Sequence, residues 1–178
     1  MLRAHAGLLS PALPVLDVGA GQGRNALFLA RRGLAVHAID PSRVAVEQLR
    51  AAARAEGLAV SATATGFETF DSPAERYGAV LLFGLLQILT REKIEALEAR
   101  LHAWTGPGSL LFVTSFTKDD PGYGTSRVVL THLERGELPG LFPGWSAVFF
   151  EEGWGPEHHH GDGKLHRHHL AQAVLRRS

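Results

Sequence analysis

Cysteine is absent from this chain of 178 residues. That excludes disulfides, thiolate metal sites and a catalytic thiol, and leaves the compartment open. An excess of charge of one sign is also absent: eighteen Lys and Arg offset eighteen Asp and Glu. The balance argues against a general nucleic-acid or membrane-surface binder. No apolar run approaches the roughly 20 residues of a membrane span. The first sixteen residues faintly echo a secretory leader, but Pro11 and Pro14 interrupt them and they run directly into a strand. A cytoplasmic location is the expectation. Asn25 and Met1 are the single examples of their types, a scarcity of thermolabile residues that hints at a heat-adapted source. Repeats and linkers are missing as well, so residues 1–178 read as one domain long enough for a sizeable core.

What is present is concentrated in residues 14–25, Pro-Val-Leu-Asp-Val-Gly-Ala-Gly-Gln-Gly-Arg-Asn. Val15, Leu16 and Val18 read as a buried strand. Gly19, Gly21 and Gly23 then allow a tight turn and close approach of the backbone to a ligand. The loop ends where Ala26 to Leu29 open an amphipathic helix, whose free N–H groups favour an anionic group. Arg24 fills the position where a dinucleotide fingerprint needs a small residue, which disfavours a nicotinamide reductase. Asp17 stands two places before the first glycine. Asp40 ends the next apolar run, Leu34 to Ile39, twenty-one residues after Gly19. An acid at the tip of a second strand is placed to accept hydrogen bonds from both hydroxyls of a ribose. The competing reading is that Asp40 only caps the helix that follows Pro41, from Ser42 to Glu56.

Helical and extended patterns continue to alternate, which predicts a doubly wound α/β sheet. Strands are expected at Leu58–Ala64, Gly78–Phe83 and Ser109–Phe116, and a helix carries Ile94, Leu97, Leu101 and Trp104 on one stripe before Gly106-Pro107-Gly108. Residues 118–144 read as a Gly- and Pro-rich insertion with short helical stretches such as Thr131 to Gly136. Two final strands, Ala147–Phe150 and Leu170–Leu175, are joined through Gly161-Asp-Gly163.

Acid-x-Gly-x-Gly-x-Gly after a strand, with the later acid, resembles motif I of the class I methyltransferases that use S-adenosylmethionine. Gly23-Arg24-Asn25, Gly106-Pro-Gly108, Gly136-Glu-Leu138 with Gly144-Trp145, and Ala171 to Arg177 look most like the tellurite-resistance group of small methyltransferases. The resemblance implies a Rossmann-like seven-stranded sheet, mostly parallel with an antiparallel C-terminal hairpin. It implies a cofactor site of Asp17, Gly19, Ala20, Gly21, Gly23, Arg24, Asn25, Asp40, Pro41, Thr65, Gly66, Phe67 and Phe83. Arg24 has its own argument: a cation in a helix's first turn opposes the macrodipole unless it pairs with an anion, here the methionine carboxylate.

Two departures from the family pattern stand out. Strand three is followed by Ala64-Thr-Gly-Phe-Glu68, without the usual acid for the adenine amino group. The Thr65 hydroxyl, a backbone carbonyl or Glu68 is left to replace it, with Phe67 covering the ring. After strand four, Gln87 is the polar side chain on offer. Six of the ten histidines lie between His158 and His169. Neighbours on a strand point to opposite faces, so three in a row cannot bind one ion, and no metal is expected. The histidines read either as a solvated hairpin tip or, by the resemblance, as part of an acceptor pocket with Arg127, His132, His158 and His159 as candidates. An already ionised nucleophile, a selenium or tellurium oxyanion or a thiolate, needs positioning and no base, and no Asp/His pair is legible near the motifs. The expected partner is a small-molecule acceptor met by a monomer or homodimer. Methylation of another metabolite at O, N or S, and a non-catalytic cofactor-binding module, remain alternatives.

Overall fold

The computed structural model describes residues 1–125, 128–159 and 165–178, with the backbone alone for His158 and His159. Its sheet strands are β1 (Val15–Val18), β2 (Val36–Asp40), β3 (Val60–Ala64), β4 (Tyr77–Phe83), β5 (Thr105–Phe116), β6 (Trp145–Trp154) and, after a small hairpin of β7 (His158–His159) and β8 (Leu165–His166), β9 (His169–Arg177). The helices are α1 (Leu2–His5), α2 (Arg24–Ala30), α3 (Arg43–Ala55) and α4 (Arg91–Trp104). The seven-stranded sheet runs β3-β2-β1-β4-β5-β9-β6. Its first five strands pair in parallel, and β9 lies antiparallel between β5 and β6. This is the mostly parallel Rossmann-like sheet with an antiparallel C-terminal pair that the sequence predicts.

Period-two alternation assigns the two faces of the sheet. Leu16 and Val18 of β1 join Val80, Leu82, Leu111 and Val113 beneath the Ile94, Leu97, Leu101 and Trp104 stripe of α4. Val15 turns the other way, into a second core with Ala26 and Leu29 of α2 and Val46 and Leu49 of α3. Burial on both faces explains why the parallel strands read as continuous apolar runs. Strand order reverses between β1 and β4, which opens a crevice at their carboxyl ends.

Several boundaries move. β5 starts at Thr105 rather than Ser109, because Thr105 pairs with Tyr77 across a register shift and the Ser109 hydroxyl donates to the Tyr77 carbonyl at 3.0 Å. Thr131 to Gly136 is not helical. Leu133 is fully buried and forms a parallel bridge with Thr117. The Leu133 N–H donates to Phe116, and the Leu130 and Thr131 N–H groups donate to the Gln87 carbonyl. Backbone donors that a helix would use internally are spent on neighbouring elements. The Gly161-Asp-Gly163 connection lies outside the described residues.

Candidate functional site

The glycine loop is tied to β2 by its backbone: the Gly19 and Ala20 N–H groups donate to the Ile39 carbonyl at 2.8 and 3.1 Å. Gly19, Gly21 and Gly23 all have positive φ, at +71°, +54° and +82°. They differ in what a side chain would meet. A Cβ at Gly23 would lie 2.1 Å from Leu49 Cδ1 of α3, and one at Gly19 would lie 3.2 Å from Leu85, whereas Gly21 faces open space. Gly23 therefore serves close packing and Gly21 leaves room for a ligand.

Asp40 joins the loop to the next helix. Its Oδ2 accepts the Gly21 N–H and its Oδ1 the Ser42 N–H, both at 2.8 Å. The cap itself is Ser42, whose hydroxyl accepts the Ala45 N–H at 3.3 Å. Asp40 thus shapes the loop as well as the turn, and each oxygen keeps acceptor capacity for a further donor. Gly19, Asp40, Pro41, Thr65, Gly66 and Phe67 line one cavity of about 400 Å³, closed by Val18, Leu85, Ile88 and Leu89. That volume suits a small-molecule site. Thr65 shares its hydroxyl with Thr69 Oγ1 at 2.9 Å, and Glu68 pairs with Lys93 at 3.1 Å. Leu85, Ile88, Leu89 and Lys93 were not legible as site residues, since a Leu-rich run after a strand reads as core.

The other face of β1 carries the motif acid. Asp17 is 2 % exposed, its Oδ2 lacks a hydrogen-bond partner, and burial raises its pKa to about 7 against the opposing Ala26 N–H. Arg24 opens α2, exposed and without an ion pair among the described residues. Asn25 follows it half-buried, and Ala20, partly buried, packs on the second core. Phe83 also packs on that core and does not line the 400 Å³ cavity.

Of the acceptor-pocket candidates, Arg127 and the side chains of His158 and His159 lie outside the described residues. His132 lines a separate cavity of about 560 Å³ with Thr90, Arg91, Lys118, Tyr123 and Leu130, next in sequence to the Ile88–Leu89 wall of the first. Burial lowers its pKa, which opposes the cationic role expected of it. Nearby cations are committed: Lys118 to Glu134, Arg91 to Glu137, and Arg135 to Asp119 at 2.6 Å. Asp119, Glu152 and His169 place ligating atoms within 4.8 Å of one another. Protein groups close that cluster, with Arg135 on Asp119 and the Gly136 N–H on Glu152 at 2.9 Å. An Asp–His contact invisible in the sequence also forms here, between Asp120 and His168 at 2.7 Å.

A model of the methyltransferase domain family matches residues 15–108. Among curated proteins, hemagglutinin 1 of Eikenella corrodens is 29% identical over 143 residues, which is 80% of this chain and 47% of that protein. Ubiquinone biosynthesis O-methyltransferase of Methylocella silvestris is 31% identical over 106 residues, 60% of this chain and 41% of that protein. The chain spans less than half the length of these relatives. Among solved structures, TehB from Haemophilus influenzae superposes with a TM-score of 0.84, covering 99% of this chain and 61% of its own at 21% identity. That is a likeness of fold.

Proposed function

The chain belongs to the methyltransferase domain family, and from that premise we propose that it is an S-adenosylmethionine-dependent methyltransferase acting on a small-molecule acceptor. The carrying observation is the Gly21–Asp40 contact, which fixes the glycine loop over a 400 Å³ cavity at the point where strand order reverses. The residues present suit the cofactor: Gly21 leaves space a Cβ would fill, Asp40 offers acceptors for ribose hydroxyls, and Phe67 and Leu85 give an apolar wall. Arg24, without an ion pair among the described residues, is the cation for the methionine carboxylate. Thr65 and Gly66 stand at the adenine end, where Thr65 replaces the missing strand-three acid. Asp17 acts through the loop, as an acid held beneath it.

When bound, adenosylmethionine supplies an electrophilic methyl group on a sulfonium. The chain's part is to position the acceptor in line and to exclude water. The 560 Å³ cavity beside His132 is the acceptor site in this reading, and Lys118, Tyr123, Leu130, Thr131 and His132 of the insertion wall it within a single domain. Gly23-Arg24-Asn25 supports the tellurite-resistance group as the nearest branch, and with it a chalcogen nucleophile, either a selenium or tellurium oxyanion or a thiol. The paired Lys118, Arg91 and Arg135, with a His132 whose protonation burial disfavours, favour the thiol, because they leave little positive charge for an oxyanion among the described residues. Calorimetric titration with adenosylmethionine and with NADPH tests the reading. Saturable binding of the first and none of the second is expected, and the reverse would overturn it.

A further inference from the structure

Three large apolar side chains that folding leaves exposed belong to the walls of the two cavities. Ile88 is 46 % exposed, Tyr123 49 % and Leu130 58 %. Ile88 lines the 400 Å³ cavity, and Tyr123 and Leu130 line the 560 Å³ one. A backbone bond joins the two walls, since the Leu130 N–H donates at 2.7 Å to the carbonyl of Gln87, the residue before Ile88. The Tyr123 ring stands edge-on to the His132 ring with centroids 5.1 Å apart. Apolar surface gathered at a cavity, rather than scattered singly, marks a place that a ligand covers. The charges on the same wall bear on what that ligand is. Lys118 is paired with Glu134 and Arg91 with Glu137, and burial disfavours protonation of His132. Glu92 also lines this wall, and the Thr90 hydroxyl holds its carboxyl below the usual range. An anionic acceptor would therefore meet a carboxylate and no unpaired Lys or Arg among the described residues of the wall. A small oxyanion would also leave most of 560 Å³ to water, in a space of the size that encloses drug-sized ligands.

Resting on the methyltransferase reading and its thiol acceptor, we propose that the acceptor is an uncharged thiol with an apolar body of aromatic size, and that Tyr123 and Leu130 bind this body and set the specificity. Ile88 continues the apolar surface from their cavity into the one that holds the cofactor. With the body against Tyr123 and Leu130, the thiol end is directed along that surface. In the step, the lone pair of the acceptor sulfur forms the bond to the methyl carbon. The donor sulfur keeps the electron pair of the bond that breaks, and the acceptor's proton leaves to water. Binding the body supplies the positioning that an in-line transfer needs.

Benzyl mercaptan, 2-mercaptoethanol, mercaptoacetate and selenite separate shape from charge. With radiolabelled adenosylmethionine, kcat/KM for benzyl mercaptan should exceed that for each of the other three by about 30-fold or more. Tyr123→Ser and Leu130→Ser should each raise the KM for benzyl mercaptan about tenfold with kcat within about threefold, because they remove binding shared by ground and transition states. The same variants should raise the KM for 2-mercaptoethanol less than about threefold, since it has no body to bind. Both side chains are exposed, so melting temperatures should hold. Calorimetric titration of benzyl mercaptan into protein saturated with S-adenosylhomocysteine should show the same weakening in both variants, without turnover. Equal KM rises on both thiols, no rise on either, a preference for 2-mercaptoethanol, mercaptoacetate or selenite, or turnover of none of the four overturns the assignment. Calorimetric binding of adenosylmethionine by the wild type is read separately, so a wrong acceptor does not pass for a failed methyltransferase.

Discussion

Asp17 holds a carboxyl group where neither water nor a full set of donors reaches it, and the cost depends on pH. Burial, the largest cause, raises its pKa from 3.8 to about 7, so the folded protein binds this proton more tightly than the unfolded chain. Its contribution is therefore most favourable below pH 4, declines as pH rises toward 7, and is flat above. At 1.36 kcal/mol per pH unit the span is on the order of 4 kcal/mol. Asp17→Asn should gain stability relative to wild type as pH rises from 4.5 to 7.5, measured by urea midpoints, and a constant difference would remove Asp17 as the cause. Asp40→Ala should both loosen the loop and weaken adenosylmethionine binding. Two backbone N–H groups lose a charged acceptor, so about 1–3 kcal/mol of stability and at least tenfold in affinity are expected, read by melting and calorimetry. Arg24→Ala isolates the ligand role, since the side chain has no partner among the described residues. Unchanged melting with roughly 10–100-fold weaker binding is expected, and lost stability with intact affinity would make the residue structural.

Between elements, the tightest constraint is the seat of Gly23 against Leu49. Gly23→Ala combines overpacking with a left-handed backbone and should destabilise by about 2–4 kcal/mol. Leu49→Ala in the same chain should recover part of this, so denaturant titration of the double variant should give less than the sum of the singles. Such contacts mark what the sequence could carry. Acid, glycines and second acid were legible because one short βαβ unit sets their spacing, and that unit lies within the matched residues 15–108. The α4 stripe was legible because helical period and buried face coincide. The carboxyl end of the sheet was not. Leu85, Ile88 and Leu89 carry no polar signature, Leu133 abandons a helix for a bridge to Thr117, and Asp120 meets His168 only once β9 lies beside β5. Local pattern cannot encode a pairing across forty-eight residues.

Across the whole molecule, the connection of this site to the sheet is testable through Thr131. Its hydroxyl donates to the Leu89 carbonyl at 2.6 Å in a buried setting and links the 118–144 segment to the wall of the cofactor cavity. Thr131→Val should cost about 1–2 kcal/mol by leaving that carbonyl without its donor, and it should raise the acceptor KM more than it weakens adenosylmethionine binding. A second consequence belongs to the biosynthesis of the chain. β6 precedes β9 in sequence, yet β9 pairs with both β5 and β6, and β6 has β9 as its partner in the sheet. The ribosome therefore delivers the outer strand before the strand that would attach it, and a nascent chain stopped before His169 holds β6 with nowhere to dock and β5 with an open edge. Residues Phe149 and Trp145 must wait for Val174 and Arg177, so pulse-labelled exchange during refolding should find β6 amides protected no earlier than those of β9.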